Sequence, residues 1–506
     1  MLLSELVAVS HTVANTPARG KKIDELASFL QRLGPGDLSV AVAYLAGEIP
    51  QGTIGVGWAA LRELPRPSPS PSLSISEVDA ALGRVARARG QGSLAVRRSE
   101  LGTLLARATS AEQRFLVELL SGGLRQGALQ GVMTDAVARA VGQPLAQVRR
   151  ALMLSGDLGE VAEAALSGRG LEHFRMRLMT PVLPMLAQSA PSVSAALDRI
   201  RPAAVEWKLD GARIQVHREG QEVRAFTRNL ADVTDRVPEV VEDMKALPIE
   251  AGIFDGEVIG LDANGRPLPF QVTMGRFGSR LDVGRLRESV PLSLLLFDCL
   301  HVDGEDLLDR PASDRFDALL ARVPERLVVP RHVVRSTADG EAVLEQALER
   351  GHEGVVVKSL DAPYEAGRRG AGWLKVKRAH TLDLVVLAAE WGHGRRRGWL
   401  SNLHLGARDA GSDGYVMLGK TFKGMTDEML SWQTERLLEL ETHRDGITVH
   451  VRPELVVEVA FDGLQRSSRY PGGLALRFAR VKGYRTEKRP ADADTMTTVR
   501  ALATSL

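Results

Sequence analysis

The stretch Val205-Glu206-Trp207-Lys208-Leu209-Asp210-Gly211-Ala212-Arg213-Ile214-Gln215-Val216 decides how this chain is read. Val205, Trp207 and Leu209 alternate with Glu206, Lys208 and Asp210, which predicts a strand with one apolar and one charged face. Asp210-Gly211 predicts a tight reversal, and Ile214 and Val216 then resume the alternation in a second strand. A lysine amine held beside such a turn is a candidate nucleophile once its proton is removed. The same Lys-x-Asp-Gly pattern equally describes a surface hairpin with a solvated lysine. The rest of the chain decides between the two.

Working outward, the residues around this stretch, from about 191 to 381, read as short alternating strands with Gly and Asp turns. Strands are predicted at 204–217, 222–227, 253–261, 292–300 and 354–358. Helices are predicted near 232–247, 312–322 and 340–350. This is an α+β or mixed α/β pattern. Residues 1 to about 190 read as helical. Ile23, Leu26, Phe29, Leu30 and Leu33 recur at helical spacing. Ser110 with Gln113 predicts a capping box ahead of Phe115, Leu116, Leu119 and Leu120, and Gly122-Gly123 stops that helix. Thr134-Asp135 predicts the start of another helix. Residues 65–74 alternate Pro and Ser and predict an exposed loop. From about 382 onward strands are predicted at 382–390, 400–408, 415–421, 454–461 and 476–484, with one helix at 427–441. Five short strands and one helix fit a small closed barrel of the OB type. The predicted fold class is therefore multidomain: an all-α domain (1–190), an α+β domain (191–381) and an all-β OB-fold domain (382–506).

Composition agrees with that division. At 506 residues the chain is too long for one core. Its 44% hydrophobic and 25% charged content is that of an ordinary globular protein. No apolar run is long enough to span a bilayer, and residues 1–14 lack a secretory signal, which predicts a cytoplasmic protein. The single cysteine, Cys299, excludes internal disulfides and any multi-cysteine metal site. Its apolar surroundings predict a buried, inert thiol. Net charge is only +2, but two basic clusters stand out. One holds Arg368, Arg369, Lys375, Lys377, Arg378 and Arg395–Arg397. The other holds Arg466, Arg469, Arg477, Arg480, Lys482, Arg485, Lys488 and Arg489. Such clusters on a near-neutral chain point to polyanion binding at defined surfaces.

The companions of Lys208 supply what nucleotidyl transfer to an amine requires. A free lysine titrates near ~10.4, so the nucleophile must lose a proton it ordinarily keeps. Lys375 and Lys377, on one face of the segment from Trp373 to Lys377, together with a metal would disfavour the ammonium and spread charge on an α-phosphate. Glu257 and Glu353 are hard oxygen ligands suited to magnesium. Phe297 can stack a base. Taken singly, Phe297 is also a core residue and Glu353-Gly354 also a turn.

In this order the motifs Lys208–Arg213, Thr227–Asn229, Phe254–Glu257, Leu295–Phe297, Glu353–Lys358 and Trp373–Lys377 resemble those of the ATP-dependent DNA ligases. These belong to the covalent nucleotidyltransferases, with RNA ligases and capping enzymes. A last motif is similar in Leu476-Arg477-Phe478-Ala479-Arg480-Val481 and Arg485-Thr486-Glu487-Lys488, with Ala479 where the family usually has Pro and Glu487 where it usually has Asp. Leu124-Arg125-Gln126-Gly127 resembles part of the helical DNA-binding domain of archaeal- and eukaryotic-type ligases.

The resemblance implies a fold and a chemistry. Lys208 would attack the α-phosphate of ATP and carry AMP. The AMP would pass to a 5′-phosphate at a nick in duplex DNA, and the 3′-hydroxyl would displace it. Glu206 and Phe297 would hold adenine, Glu257 and Arg228 the ribose side, and Arg213 a phosphate or the ribose. Arg369, Lys375 and Lys358 would add nucleotide contacts, and Lys377 would meet the α-phosphate. Glu257 and Glu353 would be the acids linked to Mg2+. Arg485 and Lys488 would orient pyrophosphate. The expected partners are ATP and nicked double-stranded DNA, encircled by a monomer, with no membrane. An NAD-dependent ligase is excluded by the missing cysteines. RNA ligation and a non-catalytic nucleic-acid clamp remain as alternatives, separated by which nick is sealed and by covalent AMP. With aromatics at 5% of the chain and no aromatic interleaving read among the basic residues, a stacking grip on single strands is not expected.

Overall fold

The computed structural model describes residues 1–506 except 35, 53, 125, 128–129, 280–281, 367–371, 378–379, 410, 412–413 and 505–506. The N-terminal region is helical, as its 3.6-residue periodicity predicts, with helices including Leu3–Asn15, Arg19–Leu30, Ile75–Arg87, Ser110–Leu120, Gln130–Val141 and Leu145–Ser155. Their apolar stripes close one core that includes Leu6, Leu26, Phe29, Leu82, Leu116 and Val137. The capping box expected at Ser110 sits one residue earlier. Thr109 is extended, its hydroxyl accepts from the Glu112 amide, and Glu112 accepts from the Thr109 amide at 2.7 Å. Gln113 instead turns inward and donates to Leu105 O at 2.8 Å. Thr134 does not cap its helix. It lies a turn inside, donating to Gln130 O.

Ten strands follow among the described residues: β1 (Gln188–Ser189), β2 (Ala203–Lys208), β3 (Ala212–Glu219), β4 (Glu222–Thr227), β5 (Ala251–Gly260), β6 (Leu292–Val302), β7 (Glu305–Asp306), β8 (Arg331–Val334), β9 (Gly354–Ser359) and β10 (Trp373–Lys377). They form two sheets, ordered β1-β10-β9-β2-β8 and β4-β3-β5-β6-β7. The hairpin expected at Asp210-Gly211 is therefore not one. β2 and β3 pair with different partners, and the turn hands the chain from one sheet to the other. The reason is packing. A Cβ on Gly211 would lie 2.3 Å from Val258 O, so the turn presses against β5 and only glycine fits. The helix expected over 232–247 shortens to Pro238–Lys245, because Thr234 is held by Asp232 and accepts from the Ala225 amide.

The C-terminal region is β-rich, with β11 (His380–Trp391), β12 (Leu400–Arg408), β13 (Tyr415–Thr421), β14 (Glu441–Asp445), β15 (Thr448–Val451), β16 (Val456–Phe461), β17 (Gly463–Arg466), β18 (Leu474–Arg477) and β19 (Arg480–Tyr484). Among the described residues that is nine strands rather than five. The strand expected over 476–484 breaks at Phe478, whose φ of 53° ends the ladder. β11 pairs β16 along its first half and β15 along its second, with β12 on its other side, so the sheet curls around a core of Leu384, Leu403, Leu405 and Val459. Among the described residues no helix is long and apolar enough to cross a membrane.

Candidate active site

Register explains why the charged residues converge. On β9, Gly354 pairs with Lys208 of β2 on one side and Lys377 of β10 on the other. Val356 pairs with Glu206 and Lys375, and Lys358 with Ala204 and Trp373. Alternate residues of a strand share a face, so Glu206, Lys208, Lys358, Lys375 and Lys377 all stand on one surface of this sheet. Val205, Val355, Val357, Leu374 and Val376 fill the other, against Val193 and Ala347. The second sheet contributes Arg213 and Glu257, which are partners across β3 and β5, and Phe297 on β6. Between the sheets lies a cavity of about 280 Å³ lined by Glu206, Lys208, Arg213, Arg228, Glu257, Phe297, Lys358, Trp373 and Lys375, among others. A larger cavity, about 390 Å³, lies between the helical region and Asp306–Asp309 and shares none of these residues.

Lys208 forms an ion pair with Glu353, and Glu353 also accepts from Lys377. The nearest charge to the Lys208 amine is thus a carboxylate, not the crowd of cations expected from Lys375 and Lys377. The register is the reason. Glu353 precedes Gly354, the rung between the two lysines, and a Cβ at Gly354 (φ +147°) would lie 2.2 Å from Val376 O. Burial alone would raise the Glu353 carboxyl, but Lys208 and Lys377 outweigh it and hold the group below its ordinary range. Burial would lower the Lys377 amine, but Glu353 and then Asp462 outweigh that and raise it. Glu257 has no such support. Burial dominates the opposing pull of Lys208 and Arg213, and its carboxyl is pushed up to about 7.

Glu206 lies at the base of the pocket, paired with Arg331 and with Lys358 at 2.5 Å; all three side chains are 3% exposed. Burial outweighs this pairing for Lys358, whose amine drops to about 8. That amine sits 4.4 Å from the Phe297 ring centre and 4.3 Å from that of Trp373. Arg213 donates to Asp255 at 2.6 Å and to Met185 O at 2.6 Å, and lies over Phe297 and Trp373. Arg331, Asp255, Tyr364 and Trp373 were not singled out from the sequence as site residues. Trp373 opens an identified motif, whereas Arg331 and Tyr364 lie outside every motif, and their part depends on contacts of 125 and 109 residues' separation, to Glu206 and Asp255.

Arg485 and Lys488 do not line the pocket. Arg485 pairs with Glu487 and Glu458, and Lys488 with Asp383, all on the C-terminal region. What that region presents to the site instead is Arg477, donating to Asp210 at 2.9 Å, and Asp462, 3.2 Å from the Lys377 amine. Arg369, with Arg368, Arg378 and Arg125, lies outside the described residues. Aromatics do accompany the basic residues here. Lys423 lies 6.0 Å from the Phe422 ring centre and 5.7 Å from that of Phe478, and both rings are exposed, because chain neighbours and a distant loop meet at that point.

Among the described residues no group of three or more His, Cys, Asp or Glu side chains is arranged to hold a metal ion. Magnesium commonly takes one or two carboxylates and completes its shell with water and phosphate oxygens. Glu257 in the pocket wall, and Glu353, whose buried Oε2 meets Lys208 without a well-aligned hydrogen bond, fit that pattern. Cys299 is buried and its thiol is pushed up by burial, as its surroundings predict.

Three family descriptions match the chain: "DNA ligase N terminus" over 62–138, "ATP dependent DNA ligase domain" over 184–377, and "ATP dependent DNA ligase C terminal region" over 396–488. A protein of Anaeromyxobacter sp. (strain Fw109-5) named "Probable DNA ligase" is 61% identical over 99% of this chain and 98% of its own length. One of Mycobacterium tuberculosis (strain CDC 1551 / Oshkosh) named "DNA ligase B" is 54% identical over 99% of this chain and 100% of its own. A solved structure titled "Pmar-Lig_PreS3" superposes with a TM-score of 0.63, covering 95% of this chain and 99% of that one at 19% identity, which is a likeness of fold.

Proposed function

Because the chain belongs to the family of ATP-dependent DNA ligases, we propose that Lys208 is the residue that carries AMP, and that the pocket between the two sheets is where the nucleotide binds. The chain is an ATP-dependent DNA ligase. The observation that carries the site assignment is the convergence of Lys208, Glu206, Arg213, Glu257, Phe297 and Lys358 on one cavity.

The roles follow from chemistry and position. Lys208 supplies the nitrogen that bonds to the α-phosphorus as pyrophosphate leaves. Its ion pair with Glu353 must open first. Lys377, one rung away, meets the α-phosphate oxygens, and Lys375 adds charge along the pocket wall. Phe297 and Trp373 offer ring faces to the base, and Glu206 is the acceptor at its edge. Arg213 and Arg228 serve the ribose and phosphates. Glu257 and Glu353 are the carboxylates that would hold Mg2+, which would supply charge to shield the phosphates. Arg485 and Lys488 serve pyrophosphate departure. They are turned from the pocket here, so the C-terminal region must rotate between self-adenylylation and strand joining.

The proposed domains are a helical DNA-binding domain (1–190), an adenylation domain (191–381) and an OB-fold domain (382–506). The three family matches and the separate hydrophobic cores support this division. Encirclement of nicked DNA by a monomer follows from a helical and a β-rich region flanking the catalytic one. The test is incubation with α-labelled ATP and Mg2+. The expected result is one acid-labile AMP on Lys208 and sealing of a nicked duplex. No adduct on that residue would overturn the assignment.

A further inference from the structure

One contact in the docked C-terminal region touches the catalytic machinery rather than merely closing over it. Asp462 follows β16 and precedes β17, and its backbone amide donates to Arg477 O at 3.0 Å, which fixes the turn. Its carboxylate reaches 3.2 Å from the amine of Lys377, 85 residues away in sequence. The other oxygen lies 3.8 Å from Arg480. Both side chains are well covered, Asp462 at 18% exposure and Lys377 at 23%. Lys377 is therefore gripped by two carboxylates from two regions: Glu353, which it shares with Lys208, and Asp462.

We propose that Asp462 is a positioning residue for strand joining, delivered by the C-terminal region to clamp Lys377 against Glu353 and aim its ammonium at the reacting phosphate. The inference rests on the reading that Lys377 meets that phosphate. The assignment to strand joining follows from what accompanies the contact. In the same docked arrangement Arg485 and Lys488 are occupied by Glu458, Glu487 and Asp383 and stand outside the pocket. An arrangement without the residues for pyrophosphate departure is the one for the later chemistry. In that step the 3′-oxygen bonds to the 5′-phosphorus, the anhydride P–O bond breaks, AMP leaves with the bonding pair, and the hydroxyl proton passes to solvent. The amine of Lys377 forms and breaks no bond. It has to sit within hydrogen-bond reach of the phosphate oxygens, and a flexible lysine stem does not hold that position unaided.

The alternative is that Asp462 only docks the region, as Arg477 does through Asp210. A cycle of variants separates the two. The full-length protein is mixed with a nicked duplex already adenylylated at its 5′-phosphate, with Mg2+ and saturating DNA, and single-turnover joining is followed. Asp462→Asn is expected to slow joining about ten-fold, and Asp462→Glu less, because misplacement of a catalytic group costs rate at the chemical step. Adenylylation of Lys208 from ATP is expected to stay within about two-fold, since the proposed rotation of the C-terminal region would carry Asp462 away from Lys377 for that step. In a Lys377→Met background Asp462→Asn adds less than about two-fold, because the group it positions is gone. A full multiplicative loss in that background, or an equal loss of self-adenylylation, overturns the proposal. Absence of any lysyl-AMP in the unsubstituted protein would instead overturn the parent reading.

Discussion

The Asp210 carboxylate, two residues after Lys208, accepts a 2.9 Å hydrogen bond from the guanidinium of Arg477, 267 residues away. The turn that follows Lys208 is thus tied to the C-terminal region. Arg477 is 15% exposed and also lies over the Phe270 ring at 4.4 Å, so the pair is less screened than an open surface bridge. Arg477→Gln is expected to weaken binding of pre-adenylylated nicks several-fold while Lys208 takes up AMP at its normal rate. Rapid-mixing assays of the two steps check this. Equal slowing of both would show that the contact serves the nucleotide pocket itself.

Replacement of the proposed nucleophile gives the second prediction. Lys208→Ala removes the nitrogen, and Lys208→Arg keeps a cation that stays protonated. Neither is expected to show an added AMP by intact-mass analysis with ATP and Mg2+. Both should still join pre-adenylylated nicks measurably, because that chemistry no longer needs the amine as a nucleophile. An adduct in either variant would place the covalent site elsewhere.

Glu257 predicts a pH dependence. Its carboxyl titrates at about 7 in the folded protein against an ordinary 4.5. Between those values the folded chain holds a proton that the unfolded chain has released. Stability therefore falls as pH rises through that window, and the penalty is complete above about pH 7. Glu257→Gln is expected to gain on the order of 1–3 kcal/mol relative to the parent at pH 8, and nothing below pH 4.5. Activity runs the other way. In the proposed role the ionised acid is the metal and ribose partner, so self-adenylylation at limiting Mg2+ is expected to climb through pH 7 in the parent and to be low and flat in the variant. Denaturation curves at pH 5 and pH 8 that shift in parallel would contradict the assignment.

DNA affinity should depend steeply on salt. Phosphate contacts dominate such interfaces, and each cation released from DNA contributes to the slope. Several basic residues of the C-terminal cluster are already matched inside the chain, Arg485 by Glu458 and Glu487, Lys488 by Asp383 and Arg489 by Asp492. The slope is therefore expected to be shallower than the basic clusters alone would give. Substituting Lys423, which forms no ion pair among the described residues and lies against the Phe422 and Phe478 rings, should lower it by about one counterion. Nick binding that ignores salt between dilute and physiological buffer would rule out a phosphate-led interface.

Much of this was legible in the sequence because alternation is a local signal. The charged face of Glu206, Lys208, Lys375 and Lys377 follows from period two alone, and eight of the expected nucleotide and catalytic residues do line one cavity. What alternation cannot give is partnership. It left the Asp210-Gly211 turn looking like a hairpin, whereas the strands on either side join different sheets. Nor could it place Glu353 between two lysines, since that needs the register of three strands. Arg331, buried beside Glu206, belongs to no motif and is recruited by a strand pairing 125 residues distant.

Arg315 shows the same dependence on long-range pairing and gives the last prediction. It donates to both oxygens of Asp298, at 2.7 and 3.0 Å, with the side chains 0% and 3% exposed. Its remaining donors reach Arg310 O and Ala362 O. Burial would raise the Asp298 carboxyl, but Arg315 outweighs it and holds the acid below its usual range, so the charge is present at neutral pH. Arg315→Met strands that charge, at a cost of about 3–5 kcal/mol. Because Asp298 adjoins Phe297 on β6, the loss should also disturb the pocket and raise the KM for ATP. The double variant Arg315→Met with Asp298→Leu should regain much of the stability, since no unpaired charge remains. Urea midpoints for the two variants decide the matter. If the single variant is as stable as the parent, the pair carries no structural charge. If the double variant is the less stable of the two, the buried ion pair is itself net stabilising here.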